Sequence, residues 1–124
     1  MNHQERQKPM DIRKRTFEFA VRIAKLCRKL DAKPGTSRIL AGQLFRSGTS
    51  VGANAEEAQA AQSKADFISK NSISLKEARE THYWLRLLAA TELLDDPEVA
   101  ALTDEAEQLK RIFGAIIVST KKGS

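Results

Sequence analysis

Apolar residues recur at intervals of three and four along most of the chain, a spacing that aligns side chains on one face of an α-helix. The first such segment spans about residues 11–31, with Asp11 as a suitable N-cap and Pro34 and Gly35 after its end. Its apolar row comprises Ile12, Phe19, Ile23, Leu26 and Leu30. The pattern predicts an amphipathic helix with one buried stripe.

A second segment, about residues 37–61, carries an apolar row built mostly from small side chains, with Thr36 or Ser37 as its N-cap. That row comprises Leu40, Leu44, Ser47, Val51, Ala55 and Ala58. Gly42, Gly48 and Gly52 lie within it, and each costs a helix up to about 1 kcal/mol. Close approach of a neighbouring helix would compensate for that cost. The alternative is a loop through "RSGTSVGAN".

The third segment is the longest, about residues 63–94, and opens with a capping box formed by Ser63 and Asp66. It shows two rows, so it is expected to have two partners. One row comprises Phe67, Asn71, Leu75, Ala78, His82, Leu85 and Ala89, and the other comprises Ile73, Trp84, Leu88 and Thr91. Pro97 then starts a fourth helix to about residue 119, with a short break near Thr103.

Four helices with short connections predict a single domain over residues 1–124, an antiparallel up-down-up-down four-helix bundle with flexible ends at 1–9 and 120–124. The chain length agrees with a single domain, because 124 residues are enough to form one hydrophobic core. Cys27 is the sole cysteine, and neither a secretory signal nor a membrane span is visible. We therefore expect a cytoplasmic protein that does not enter a membrane.

The stretch "KEARETHYWLRLL", residues 76–88, brings carboxylates, a histidine and aromatic side chains together. A di-iron bundle requires Glu-x-x-His pairs, and the sequence has none. His82 is the one histidine within a predicted helix, and Cys27 is expected to have no helical His or Asp partner that could activate it as a nucleophile. No acid, base and nucleophile can be assembled, so we predict no enzyme activity, no metal site and no cofactor.

Polar residues on the packing stripes are predicted to be structural, because buried polar groups need hydrogen-bond partners. These residues are Ser47, Asn54, Asn71, Ser74 and His82. Asn54 and Asn71 are expected to face each other across the second and third helices and fix their register. The second row of the third helix, with Ile73, Trp84 and Leu88, is the predicted interface between copies of the chain.

The most suggestive charged feature is a row of cations on the first helix, opposite its apolar stripe. It comprises Lys14, Arg15, Arg22, Lys25, Arg28 and Lys29. At about 1.5 Å per residue, the row forms a basic strip about 20 Å long. Phosphates of RNA or DNA would fit it, and the net charge of +5 permits such a partner. An ordinary solvated face is the alternative.

Two motifs carry a family likeness. "QLFRSGTSVGANAEEA" and "DFISKNSISLKEARETHYWLRLL" resemble the four-helix bundle proteins related to those encoded by intervening sequences in bacterial 23S ribosomal RNA genes. More distantly, the chain resembles the accessory proteins of diversity-generating retroelements, which are basic bundles that bind nucleic acid. The likeness implies a continuous second helix, no known catalytic centre and a ring-like homopentamer.

The sequence thus supports two functional hypotheses. In the first, a non-enzymatic oligomeric bundle binds RNA or DNA phosphates nonspecifically through the basic strip of the first helix. In the second, the chain is a protein-interaction or scaffold module, and its basic face is only solvated. The resemblance adds no activity, because the function of that family is unsettled.

Overall fold

The computed structural model describes residues 11–123, and four α-helices occupy most of that range. They are α1 (Ile12–Asp31), α2 (Thr36–Gln59), α3 (Lys64–Thr91) and α4 (Glu98–Lys122). No strand occurs in this range, so the predicted all-α class with four helices is confirmed. The flexible segment predicted at residues 1–9 lies outside the described residues.

Side chains cap three of the four helix starts, because the first backbone N–H groups of a helix lack intrahelical partners. Asp11 accepts from the Arg13 N–H at 2.9 Å, and Ser63 accepts from the Asp66 N–H at 3.0 Å. Asp96 does the same for α4, accepting from the Glu98 N–H at 2.9 Å. The second helix instead follows Gly35 without a side-chain cap, so the predicted Thr36 or Ser37 cap is wrong.

The last helix is longer and more regular than the sequence predicted. It runs without interruption through Thr103, whose hydroxyl donates to the Val99 carbonyl at 2.7 Å. It also continues past residue 119 to Lys122, and the Lys64 ammonium donates to the Gly123 carbonyl at 2.8 Å. Contact with the start of α3 gives these final residues a partner that the polar composition of the tail did not reveal.

Cross-helix contacts run in opposite residue order for each neighbouring pair, so the bundle is antiparallel throughout. Between α2 and α3, Ser74 donates to the Val51 carbonyl, and Thr81 lies against Ser47. Consecutive helices pack closely, and α1 and α4 meet along a much thinner seam, whereas the diagonal helices have no Cα atoms within 8 Å of each other. The result is a four-helix bundle in up-down-up-down order.

No described helix is long and apolar enough to cross a membrane.

The glycines of α2 are explained by close packing against α1. A Cβ at Gly48 would lie 2.7 Å from Cγ2 of Ile23, and one at Gly52 would lie 3.2 Å from the Thr16 carbonyl oxygen. At Gly42 no atom lies within 4 Å of such a Cβ, so that glycine has no packing role. The continuous helix and the close approach are confirmed, the latter at two of the three glycines.

One core runs the length of the bundle and includes the predicted row of α2 and most of the predicted row of α1, of which Ile12 is only partly buried. Its largest fully buried side chains include Phe19, Ile23, Leu44, Leu85, Leu102 and Phe113. The inward row of α3 differs from both predicted rows, since its buried residues are Asn71, Ser74, Glu77, Ala78, Thr81, Leu85 and Leu88. Polar Ser74 and Thr81 occupy core positions, which a purely apolar criterion could not assign.

Candidate nucleic-acid interface

The basic strip predicted on α1 is divided in two by its neighbour α4. Arg15 forms a two-pronged ion pair with Glu105, with N–O distances of 2.7 and 2.8 Å. Arg22 binds Glu98 in the same way, at 3.0 and 2.8 Å. Such fork geometry is the strongest arrangement available to an arginine and a carboxylate. These two guanidinium groups are therefore directed at α4.

A third ion pair extends this row of contacts, because the Lys29 ammonium lies 2.5 Å from a carboxylate oxygen of Asp96. The hydrogen bond from Lys29 and the bond from the Glu98 N–H hold the pKa of Asp96 below its usual range. Arg22 lowers the pKa of Glu98 in the same way. We call the three pairs Arg15–Glu105, Arg22–Glu98 and Lys29–Asp96 the charge ladder. Half of the predicted strip is thus neutralised within the chain.

The other half of the predicted strip faces outward. Lys14, Lys25 and Arg28 are exposed, and among residues 11–123 none has a carboxylate within ion-pair distance. Their positions at 14, 25 and 28 place them on one side of α1 at about 100° per residue. This outward triad is the part of the predicted site that remains available to phosphates.

The acidic residues of "KEARETHYWLRLL" form ion pairs that link α3 to α2. Arg46 of α2 donates to Glu77 at 3.0 Å and also binds Glu80, whose carboxylate accepts from the Trp84 indole N–H at 3.2 Å. The Arg46 bond, helped by the Trp84 bond, lowers the pKa of Glu80. Glu77 is buried, and its second oxygen has no hydrogen-bond partner among the described atoms. Both carboxylates are held in ion pairs.

His82 lies at the α3–α4 groove, where its Nε2 is 3.4 Å from a carboxylate oxygen of Glu107. Burial and the nearby Lys110 lower the pKa of His82, although Glu107 acts in the opposite direction. The predicted structural role fits this contact. Within residues 11–123, no three His, Cys, Asp or Glu side chains converge as metal ligands do.

The predicted polar layer exists, but with different partners. The Ser47 and Thr81 hydroxyl oxygens lie 2.9 Å apart, and Ser74 donates to the Val51 carbonyl at 2.9 Å. Asn54 and Asn71 do not face each other. Their amides donate to backbone carbonyls four residues earlier on their own helices, Ser50 and Phe67. The α2–α3 register is therefore linked by hydroxyl groups, and Thr81 was missed because threonine in a helix resembles a surface residue.

The predicted interface between copies is only partly on the surface. Leu88 is fully buried in the core of its own chain, so its assignment to an interface is wrong. The row of Ile73, Trp84, Leu88 and Thr91 predicted a second face, but Leu88 completes the inward row of α3 with Leu85. Ile73 remains at the surface, and Trp84 lies at the rim of a groove between α2 and α3 that also contains Ile39 and Leu87.

Two comparisons place the chain among known proteins. The profile of the family described as 23S rRNA-intervening sequence protein matches residues 8–115. The fold is similar to the crystal structure of a protein of unknown function from the S23 ribosomal protein family of Bacteroides thetaiotaomicron. The identity is 39%, the match covers 86% of this chain and 98% of the other, and the TM-score is 0.79. No curated protein matches.

The family match spans all of α1, α2 and α3 and most of α4, including the two motifs that suggested the likeness. The structural match agrees with it in fold over nearly the whole described chain. The chain therefore belongs to the 23S rRNA-intervening sequence protein family.

Proposed function

We propose that this protein is a non-enzymatic helical bundle of the cytoplasm that binds RNA or DNA phosphates nonspecifically through α1. The single observation that carries the proposal is the outward triad, Lys14, Lys25 and Arg28, which is exposed and outside every ion pair found among residues 11–123. Phosphate contacts of this kind provide affinity without reading sequence. The net charge of +5 supports an anionic partner.

Of the six cations in the predicted basic strip, the proposal assigns phosphate binding to three, the outward triad. Arg15, Arg22 and Lys29 each have a carboxylate of the same chain as their nearest anion. A phosphate at these positions would have to replace an existing ion pair, which removes most of the gain in electrostatic energy. The outward triad faces no such competition.

The test compares two triple variants that lose the same charge. In the first variant, Gln replaces Lys14, Lys25 and Arg28 of α1. In the control variant, Gln replaces three lysines outside α1, namely Lys70, Lys121 and Lys122. Duplex binding is measured by fluorescence anisotropy over a salt series. The first variant should show a salt slope smaller by about 3, because each lost phosphate contact contributes about 0.9. Equal losses in both variants would refute a role for α1.

We also propose that the chain forms a ring-like homo-oligomer, with the pentamer favoured by the family likeness. The support is an apolar groove between α2 and α3 in which Ile39 is 70% exposed, beside Trp84 and Leu87. Large apolar side chains exposed next to each other are typical of interfaces. Light scattering of Ile39→Glu should show smaller particles with unchanged helicity. An unchanged mass would exclude this groove.

A second candidate function is a protein-interaction module. The observation that favours it is the pair Phe17 and Phe45 on the outer side of α1 and α2, which are 65% and 49% exposed. This hypothesis predicts that a Phe17→Ser, Phe45→Ser variant keeps its mass and nucleic-acid affinity but no longer retains a specific protein partner. Parental nucleic-acid binding that depends on these aromatics would contradict it.

A further inference from the structure

The outward face of α3 carries a second group of cations, and an aromatic ring lies among them. Lys76, Arg79, Tyr83 and Arg86 are all exposed and are spaced by three, four and three residues, which places them on one side of the helix. From the first to the last, this face extends about 15 Å along the helix axis. We call it the α3 aromatic-basic face.

The acidic residues of α3 are directed away from this face. Glu77 and Glu80 lie on the side of α2, where both bind Arg46. Among residues 11–123, Lys76, Arg79 and Arg86 have no carboxylate within ion-pair distance. The positive charge of the face is therefore not balanced by the helix that carries it.

The adjoining edge of α4 carries two carboxylates, Glu107 and Asp104, together with the cations Lys110 and Arg111. A single carboxylate, Glu107, is shared by His82, Lys110 and Arg111, at 3.4, 2.9 and 3.5 Å. The groove between the helices also contains Asp104. Besides burial, Lys110 and Arg86 lower the pKa of His82, and Lys110 does so more strongly than Glu107 raises it. On this side of the molecule, five cations therefore outnumber two carboxylates: Lys76, Arg79, Arg86, Lys110 and Arg111 against Asp104 and Glu107.

Tyr83 is held in place while much of its ring stays accessible. The residue is 54% exposed, and its ring meets that of Trp84 in a T-shaped contact with centroids 5.2 Å apart. Trp84 in turn donates its indole N–H to Glu80, which Arg46 binds. A fixed, half-exposed aromatic ring between cations is the arrangement on which nucleic-acid bases stack.

We propose that the α3 aromatic-basic face binds single-stranded nucleic acid, with a base stacked on Tyr83 and phosphates at Lys76, Arg79 and Arg86. A single strand is favoured over a duplex because its bases are free to stack on a side chain. This site shares no residue with the outward triad of α1, and no Cα atom of α1 lies within 8 Å of a Cα atom of α3. The inference rests on the proposed function and adds single-stranded nucleic acid to its ligands. An experiment can refute either site without refuting the other.

The experiment uses the full chain and three labelled probes: oligouridine of about 16 nucleotides, an abasic strand of equal length and a duplex of equal length. The abasic strand keeps the phosphates and removes the bases, so it separates stacking from charge. The variants are Tyr83→Leu, Tyr83→Phe, and a triple change of Lys76, Arg79 and Arg86 to Gln. The triple Gln variant of Lys14, Lys25 and Arg28 is the matched control, and circular dichroism verifies folding.

We expect the parent to bind oligouridine more tightly than the abasic strand. Tyr83→Leu should bind oligouridine about 5- to 100-fold more weakly, the effect of losing one stacked base, while Tyr83→Phe keeps parental affinity. The α3 triple variant should lose affinity for both strands, with a salt slope smaller by about 2. Trp84 is the one tryptophan, so its emission should change with oligouridine and not with the abasic strand.

Several outcomes would overturn the inference: parental affinity in Tyr83→Leu, equal binding of oligouridine and abasic strand, or parental affinity in the α3 triple variant. Loss of binding only in the α1 control would also refute this site while supporting the proposed function. Loss only in the α3 variants would support this site and refute the proposed role of α1. An absence of binding to all three probes would refute both.

Discussion

Gly48 of α2 lies so close to Ile23 of α1 that a Cβ atom would come within 2.7 Å of Cγ2 of the isoleucine. Ile23 is fully buried, so it has little room to move away. Gly48→Ala should therefore destabilise the bundle by about 1–3 kcal/mol through overpacking. Urea unfolding monitored by circular dichroism measures the change.

The matched control for that variant is Gly42→Ala on the same helix. A Cβ there meets no atom within 4 Å, so only the helix propensity changes. Gly42→Ala should stabilise the protein by about 0.5–1 kcal/mol. If both alanine variants shifted stability in the same direction, the close contact between α1 and α2 would not explain why position 48 is a glycine.

The charge ladder should contribute measurably to the α1–α4 seam. Arg15 and Glu105 are only 25% and 16% exposed, so their two-pronged pair is shielded from salt more than a surface pair. A double-mutant cycle with Arg15→Gln and Glu105→Gln should give a coupling energy of about 1 kcal/mol. Chemical unfolding of the parent protein, the two single variants and the double variant measures this coupling energy. A coupling near zero would mean that the pair forms without stabilising the seam.

Cys27 should be unreactive in the folded protein. Its thiol is buried and donates to the Ala41 carbonyl at 3.4 Å, and burial, with a smaller effect from Asp31, raises its pKa to about 12. The thiolate fraction near neutral pH is then lower than that of a free cysteine by a factor on the order of a thousand. Alkylation followed by mass spectrometry should be fast only after denaturation. Fast alkylation of the native protein would contradict this placement.

Mild acid should weaken the fold through His82. Burial and Lys110 keep the pKa of His82 below its ordinary value of 6.5, so the unfolded chain gains a proton before the folded chain does. The free energy of unfolding therefore falls as the pH drops from about 7 to 5.5. His82→Gln should show a smaller fall over that window. An identical pH dependence would indicate that His82 titrates alike in both states.

Much of the fold could be predicted from the sequence because three helices have rows of apolar residues at helical spacing. The inward row of α3 could be predicted only in part: a structural role was predicted for Ser74 but not for Thr81, and both occupy core positions where they bond to Val51 and Ser47. Their burial depends on hydrogen-bond partners from another helix. Apolar spacing carries no information about such partners.

The candidate site was predicted only in part for a related reason. The row of cations on α1 was visible, but the division into paired and unpaired members depends on α4. A sequence signal did exist, because Arg15, Arg22 and Lys29 recur every seven residues, as do Glu98 and Glu105. Matching periods on antiparallel helices predict ion pairs between them. The α3 aromatic-basic face was missed because its cations alternate with acids that turn toward α2.

The same seven-residue period limits what the charge ladder can specify. If α4 slid by one heptad along α1, Glu105 would meet Arg22 and Glu98 would meet Lys29, so two complementary pairs would survive. The Arg15–Glu105 and Arg22–Glu98 pairs alone would therefore favour a slipped pairing nearly as well as the native one. Asp96 breaks this degeneracy, because it precedes α4 in the short connection from α3 and is bound by Lys29. Electrostatic attraction holds the seam together, and the Lys29–Asp96 pair favours one alignment.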